Sequence, residues 1–385
     1  VFASSIARIE GDDGPAAADL VCVADEDGRV VGHGLFSEPS ALRVRMLTSG
    51  PEVPDVDGIL DARIAAAAAL RQRLFPDPDV TDAYRLVHAE GDRLPGLVVD
   101  RYGDVLVAQW ATAPMAARRE ALAASLLRHS GARVLVSRPA GYETEEGMDE
   151  APAVAFEAGP ACPERIEVRE EGMALVVEPL AGQKTGHYTD QRGNRRLVGS
   201  LAGGLSVLDL YAGTGGFSVQ ALRAGADSSI AVEASARSVE RAREHAALAG
   251  VGERLEAHVG DVREVLTALR DQRRRFDLVI VDPPNFFPRR GSDRAAWKAY
   301  RELNVKALSR VQAAGGFLAT FTCSARMTPG QLLETVQSAA RDCRRTFRVL
   351  QALSAGADHP VAADGVVGRY LAGLLLAVDP EDPQA

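Results

Sequence analysis

The sequence predicts an α/β protein. Its C-terminal half reads as a doubly wound, mostly parallel sheet, preceded by a small β-rich domain and a central α+β domain. Three observations carry this. First, Val207-Leu-Asp-Leu-Tyr-Ala-Gly-Thr-Gly-Gly216 runs from apolar residues into a glycine loop, and Phe217, Val219, Ala221 and Leu222 continue with helical spacing. That is a buried strand, a tight turn and a helix N-terminus. Second, further short apolar segments alternate with helical patterns, the signature of a parallel sheet with helices on both faces. Third, Asp209, Glu233, Asp261, Asp282 and Cys323 fall at or near the carboxyl ends of successive strands. Ligands bind at that edge in such sheets.

The strands justify themselves in turn. After Val207–Leu210 the loop places Tyr211, Gly213 and Gly215 where the backbone can approach a ligand, facing the first amides of a helix. Asp209 in the approach suits a free amino group. A dinucleotide fingerprint needs glycine at 218, where Ser218 stands. D-x-Y-x-G-x-G resembles instead motif I of the class I S-adenosylmethionine (SAM) methyltransferases. Ile230-Ala-Val232 leads to Glu233, an acid placed for two ribose hydroxyls. Gly260-Asp261 follows a third strand, and Asp261 could accept from an adenine amino group. Phe276–Val281 leads to Asp282-Pro-Pro-Asn-Phe286, and Gly316–Thr322 to Cys323-Ser324.

The totals set bounds. At 385 residues the chain holds two or three domains with real cores. No run of 18 apolar residues occurs, so no membrane partner is expected. The four cysteines, Cys22, Cys162, Cys323 and Cys343, have no metal spacing and form no dense framework. A reduced, cytoplasmic, metal-free protein is the expectation. The chain begins Val1-Phe2 rather than with methionine, so a few residues are expected to be missing. The net charge of −9 is uneven: residues 1–180 carry 17 basic and 31 acidic groups, residues 181–385 carry 27 and 22. Arginines cluster at 191–196, 273–275, 289–290 and 341–348. Each cluster alone reads as a solvated helix face. Together, in the half with the candidate site, they suit a polyanion.

Three domains are expected. Residues 1–75 form a β domain and a linker helix, with a hairpin around Asp25-Glu-Asp-Gly28 and a strand over Ala41–Leu47. Cys22 reads as a core residue. The helix over 57–75 ends at Pro76 and Pro78. Residues 76–180 form an α+β unit with one helix over about 114–129, a mobile acidic loop at 143–164 and a closing hairpin around Glu170-Glu-Gly172. His88 has no visible partner and reads as structural. Residues 181–385 hold the catalytic domain. It is introduced by the donor-rich Gly182-Gln-Lys-Thr-Gly-His-Tyr-Thr-Asp-Gln-Arg192, which offers Lys184 to a substrate and Tyr188, Asp190 and Arg192 to a cofactor. The tail after Val378 is expected to be disordered.

These residues suffice for a resemblance. Tyr84–Asp92, Leu94–Tyr102, Gly182–Gly186 with Asp190-Gln-Arg192, Asp282-Pro-Pro284, Glu302-Leu-Asn304, Cys323-Ser324, Asp358-His-Pro360 and Arg369-Tyr-Leu371 carry it. Over nearly its whole length the chain resembles the RlmI-type large-subunit (23S) ribosomal RNA cytosine-5 methyltransferases. The resemblance implies a PUA domain, a small RNA-binding β-barrel, then a central α+β domain and a Rossmann-like class I methyltransferase domain using SAM. It implies ribosomal RNA as partner, single-stranded or loosely structured because the target base must be unstacked. Monomer and homodimer both stay open. The chain departs at His187, where the family usually has Phe or Tyr, at Gly193, around Val366-Val367, and in a barrel that lacks its first strand.

Cytosine carbon 5 is a poor nucleophile. A thiolate adding to carbon 6 makes it enamine-like. Cys323 is the expected nucleophile, with Asp282 holding the cytosine edge and touching the cofactor, and Pro283, Pro284 and Phe286 contacting the base. Arg326, three residues on, is a candidate to stabilise the thiolate. Cys343 has no motif around it. Asn285 occupies the place where two-cysteine relatives have their second cysteine, so the base that removes the carbon 5 proton is not identified. Two alternatives remain open: amino-group methylation through Asp282–Phe286, which needs no cysteine, and an RNA-binding assembly factor without turnover.

Overall fold

The structure is a computed structural model that describes residues 1–10, 14–141, 143–149, 155–182, 185–287, 293–363 and 369–382. Its chain divides into two compact units, and each is discontinuous in sequence. The first comprises residues 1–172, 177–189 and 357–368, the second residues 173–176, 190–356 and 369–385.

In the first unit, β1 (Leu20–Ala24), β2 (Val30–Phe36) and β3 (Val44–Ser49) form an antiparallel sheet in that order. The acidic turn is tied by Asp25, whose Oδ1 accepts from the amides of Asp27 and Arg29. Cys22 corrects the reading as a core residue. It lies on β1, an edge strand, and its side is exposed. The linker helix α1 (Val56–Leu74) is N-capped by Asp55, which accepts from Gly58 N at 3.2 Å. It buries Leu60, Ile64, Ala67 and Ala68, and also Arg71.

A five-stranded sheet follows in chain order: β4 (Ala83–His88), β5 (Leu97–Tyr102), β6 (Val105–Trp110), β7 (Val134–Ser137) and β8 (Ala155–Ala158). Only the β6–β7 pair is parallel. The single helix expected over 114–129 is two, α2 (Ala113–Ala116) and α3 (Arg119–Ser130), and β8 occupies part of the expected loop. β9 (Ile166–Glu170) comes next. A buried ionic network ties the unit together. Arg71 grips both oxygens of Asp92 and donates to Asp358 O at 2.7 Å. Asp358 Oδ2 accepts from Arg85 N at 2.9 Å, and Arg85 pairs with Asp100. His187 meets the buried Glu170 carboxylate at 3.0 Å. His88 is buried beside Arg85, and that burial drives its pKa down to about 3, so it stays neutral and structural.

The second unit takes most of β10 (Met173–Val177) and then alternates: α4 (Arg192–Ser200), β11 (Ser206–Leu210), α5 (Gly216–Arg223), β12 (Ser228–Glu233), α6 (Ala236–Leu248), β13 (Leu255–Val259), α7 (Val262–Asp271), β14 (Leu278–Val281), α8 (Arg294–Leu308), β15 (Gly316–Thr322), α9 (Pro329–Asp342), β16 (Phe347–Ser354) and β17 (Ala372–Val378). Seven strands make one sheet in the order β13-β12-β11-β14-β15-β17-β16. The first five are parallel, and β17 runs antiparallel to both β15 and β16. The order reverses at β11, the switch point where a crevice opens. The central strands are apolar on both faces, as a sheet covered by helices on two sides requires: Leu208, Leu210, Val279, Val281 and Leu318 join one core with Tyr300, Leu303, Leu332 and Val336. Arg345 is buried and donates to the carbonyls of Val311, Gln312 and Asp379. It is structural cement, which removes it from the cationic surface that its cluster suggests. Arg192 and Arg195 are buried too, and Arg289 and Arg290 lie outside the described residues.

Candidate active site

All five expected strand-end residues belong to the second unit, whose parallel registers align the ends of β12, β11, β14 and β15. The glycine loop bends through three left-handed residues: Tyr211 at φ 62°, Gly213 at 54° and Gly215 at 77°. The two glycines serve different ends. A Cβ on Gly215 would meet Ala242 Cβ at 2.7 Å, so α6 packs against bare backbone. A Cβ on Gly213 would meet no protein atom within 4 Å, which leaves open space over the loop. Glu233 holds the loop from below. Its Oε2 accepts from Gly213 N at 3.1 Å and its Oε1 from Ser235 N at 3.0 Å, with lone pairs left over for hydroxyls.

Asp209 is buried, and its Oδ2 accepts from Ser218 N at 3.1 Å and Ser218 Oγ at 2.7 Å. Ser218, in place of the third glycine, thus fastens the strand to the helix. Burial raises the Asp209 pKa to about 6, against the two Ser218 hydrogen bonds. Asp261 caps α7, its Oδ1 accepting from Arg263 N at 2.7 Å, and stays exposed. Tyr211 and Phe286, with rings 6.5 Å apart edge to face, line a recess of about 90 Å³ with Arg263 and Lys306.

Asp282 follows β14 with part of its surface exposed. Its Oδ2 accepts from Gln191 Nε2 at 2.9 Å. Burial first, then the nearby Asp190 carboxylate, raises its pKa to about 7, against the Gln191 hydrogen bond. Asp190 accepts from Tyr370 OH at 2.7 Å. Carboxylates that push one another's pKa upward make a field that suits a cation, and Arg195 opposes it from the α4 side. A ligand with a sulfonium and an ammonium fits this set of carboxylate acceptors.

Pro283 and the exposed Pro284 carry the chain to Asn285, whose Oδ1 accepts from Phe287 N at 2.9 Å. The Phe286 ring packs 4.8 Å from the buried Tyr300 ring. Cys323 follows β15, the partner of β14, and is half-buried with its Sγ 3.6 Å from Pro283 O. Beside it Thr322 Oγ1 donates to Tyr300 OH at 3.0 Å, and burial pushes the Tyr300 phenol up to about 12. Arg326 forms an ion pair with Asp293 and lies over the Phe287 ring, so its charge is already engaged. Cys343 ends α9, where burial raises its thiol pKa. Arg192 opens α4 in a buried position. Tyr188 is partly exposed and falls in the first unit, and Lys184 lies outside the described residues.

Sequence reasoning missed four residues around these loops. Arg195 lays its side chain over Gly216, where a Cβ would meet its Cδ at 2.6 Å. His245 on α6 is within hydrogen-bond reach of Thr214 O through Nδ1 at 2.9 Å and accepts from Val176 N at Nε2 at 2.9 Å, which fixes its tautomer. Gln191 and Asn194 form the chain that ends on Asp282. His245 is a lone polar residue in a helical pattern, and Gln191, Asn194 and Arg195 lie in the polar 191–196 run, whose composition does not mark which side chains turn inward.

Residues 142–364 match the family of S-adenosylmethionine-dependent methyltransferases, and residues 1–49 match a PUA-like domain. A protein of Shewanella denitrificans named ribosomal RNA large subunit methyltransferase I is 33% identical over 380 residues, covering 98% of this chain and 94% of that one. A protein of the same name from Alteromonas mediterranea is 32% identical with the same coverage. Among solved structures, one assigned as a methyltransferase and complexed with SAH superposes with a TM-score of 0.82 at 21% identity, covering 94% of this chain and 92% of that chain. That likeness speaks for the fold.

Proposed function

Because the chain belongs to the family of S-adenosylmethionine-dependent methyltransferases, with full-length relatives named for large-subunit ribosomal RNA, we propose that it methylates carbon 5 of a cytosine in that RNA. The observation that carries this reading is the placement of Cys323 against the Asp282-Pro-Pro loop, with Sγ 3.6 Å from Pro283 O across adjacent parallel strands.

In this reading Glu233 takes the ribose hydroxyls of SAM, Asp261 its adenine edge, and the open face over Gly213 its methionine part. Bound SAM supplies the electrophilic methyl group. The cytosine, drawn out of its stack, lies against Phe286 and the prolines, with its Watson–Crick edge on Asp282. The Cys323 thiolate adds to carbon 6, and electron density moves to carbon 5, which takes the methyl group. Loss of the carbon 5 proton then restores the double bond and expels the thiolate. A free thiol near pKa 8.5 is mostly protonated at neutral pH. Arg326, three residues on, is paired to Asp293 and is assigned no role at the thiolate. The PUA-like domain and the exposed cations of the second unit would hold flanking nucleotides.

RNA carrying 5-fluorocytosine at the target tests the nucleophile. Fluorine cannot leave as a proton does, so a protein–RNA adduct should survive denaturing electrophoresis only with SAM present and Cys323 intact. Cys323→Ala should cost about 10³-fold or more in rate, with SAM affinity unchanged. Near wild-type methylation by Cys323→Ala would refute the cytosine-5 reading in favour of amino-group methylation at the same loop.

A further inference from the structure

We propose that Gln191 and Asn194 form a relay that fixes the hydrogen-bond polarity of Asp282 and thereby makes the site select cytosine over uracil. The inference rests on the cytosine reading above and assigns two positioning residues to it.

The relay starts at a group whose polarity cannot change. Ser354 O, at the end of β16, is a main-chain carbonyl and only accepts. Asn194 Nδ2 donates to it at 3.0 Å. The same Nδ2 donates to Gln191 Oε1 at 2.6 Å. Gln191 therefore turns its carbonyl to Asn194 and its Nε2 to Asp282 Oδ2, at 2.9 Å. Gln191 is 3% exposed and Asn194 5%. Turning either amide over would set oxygen against oxygen with no water to repair it. Two amides thus transmit the polarity of one backbone carbonyl to one carboxyl oxygen.

The consequence at Asp282 is definite. Oδ2 is held as an acceptor, so a proton bound by this carboxyl sits on Oδ1. Asp190 and Asp209 favour such a proton and Arg195 opposes it. Tyr300, on α8, stays protonated, and Cys323 follows the neighbouring strand. Cytosine presents an acceptor at N3 beside a donor at its 4-amino group. It meets the fixed carboxyl with two matched bonds, Oδ1–H to N3 and the amino group to Oδ2. A proton shared at N3 also draws electrons from carbon 6, which the thiolate attacks. Uracil presents N3–H beside a carbonyl, reversed at both positions. To accept uracil the carboxyl would have to move its proton to Oδ2, where the Gln191 amide already points a hydrogen.

The test uses the full-length protein, SAM and two RNA oligonucleotides that differ only in cytosine or uracil at the target. Gln191→Met removes the donor with little change of size. We expect cytosine-over-uracil discrimination in kcat/KM to fall about tenfold or more. The alkaline limb of the pH–rate profile should move to higher pH, because the lost hydrogen bond favours the ionised carboxyl. SAM affinity and melting temperature should hold. Gln191→Glu supplies a second arm should the first variant fold poorly. Its protonated carboxyl can donate to Oδ2, so discrimination should approach wild type at low pH and collapse as Glu at 191 ionises. A merely structural role would lower the rate on cytosine with the ratio and the limb unchanged, and that result overturns the relay. If the wild-type protein methylates cytosine and neither variant shifts ratio or limb, the relay alone falls. If the wild type makes no 5-methylcytosine, the functional reading falls and the relay with it.

Discussion

The two glycines of the loop should fail in different currencies when replaced. At Gly215, φ is 77° and a new Cβ meets Ala242 Cβ at 2.7 Å. Left-handed backbone costs an alanine about 1–2 kcal/mol, and forcing a methyl group into packed surroundings about 1–3 kcal/mol more. Gly215→Ala should therefore lose about 2–5 kcal/mol of stability. Ala242→Gly, in the middle of α6, should cost about 1 kcal/mol through helix propensity. The pair will not add. With Ala242 shortened the 2.7 Å contact goes and only the milder approach to Ala242 Cα at 3.3 Å and the backbone penalty remain, so the double variant should be about 1–3 kcal/mol more stable than the sum predicts. Gly213 behaves otherwise. Its φ of 54° still penalises a side chain, but no protein atom lies within 4 Å of the added Cβ. Gly213→Val should weaken SAM binding far more than it weakens folding. Urea melts at constant m give the stabilities and calorimetry the SAM affinity. Strict additivity of the 215/242 pair would refute the packing argument, and unchanged SAM affinity in Gly213→Val would refute the placement of the ligand over the loop.

Glu233→Ala should reduce SAM affinity by about 1.5–3 kcal/mol through lost hydrogen bonds to a charged acceptor, read by the same calorimetry. Asp209 has a folded pKa raised to about 6 from an ordinary 3.8, so the folded state holds its proton more tightly than the unfolded state does. Its contribution to stability is complete below about pH 4 and is lost as pH rises through about 6. Asp209→Asn keeps an acceptor for Ser218 and should flatten that fall in melts taken from pH 4 to 8. A wild-type curve that instead climbs with pH in the same window as the variant's would show that the aspartate carries no such cost. Arg345→Met should lose on the order of 2–3 kcal/mol, because it leaves the buried Val311 carbonyl and the half-buried Asp379 carbonyl without their side-chain donor, while Gln312 O keeps Gly315 N. Arg344→Glu, on an exposed neighbour, should leave melting nearly unchanged and weaken RNA binding at low salt.

The central strands were legible because burial on both faces writes itself as short apolar runs. β15 was read at its observed bounds, Gly316–Thr322. β16 was not, and its side chains explain why: most of its residues are exposed, among them Val349 and Leu350, so an edge strand without a core face carries no alternation. Arginine clusters misled for a related reason. Composition marks Arg345 as charged but cannot mark which carbonyls the fold turns toward it. The chemistry-bearing side chains at the strand ends announce themselves through neighbours in sequence, such as Pro283 beside Asp282. The relay through Gln191 and Asn194 joins positions 191, 194, 282 and 354. No local pattern encodes such a path, because tertiary structure alone brings the four together.

The interleaving of the two units has a consequence for how the chain is made. The network around Arg71 and Arg85 closes only when Asp358 arrives, 273 residues after Arg85. A ribosome adding about 5–20 residues per second needs roughly 14–55 s to deliver it. During that interval the first unit holds a committed cluster of arginines and aspartates with one member still unsynthesised. Meanwhile all but the last strand of the parallel-sheet unit is synthesised, so the first unit is completed only after most of the second exists. Completion of the two halves is tied to nearly the same moment of synthesis, and a nascent chain stalled before residue 358 should be captured by chaperones in place of maturing as a free-standing N-terminal domain.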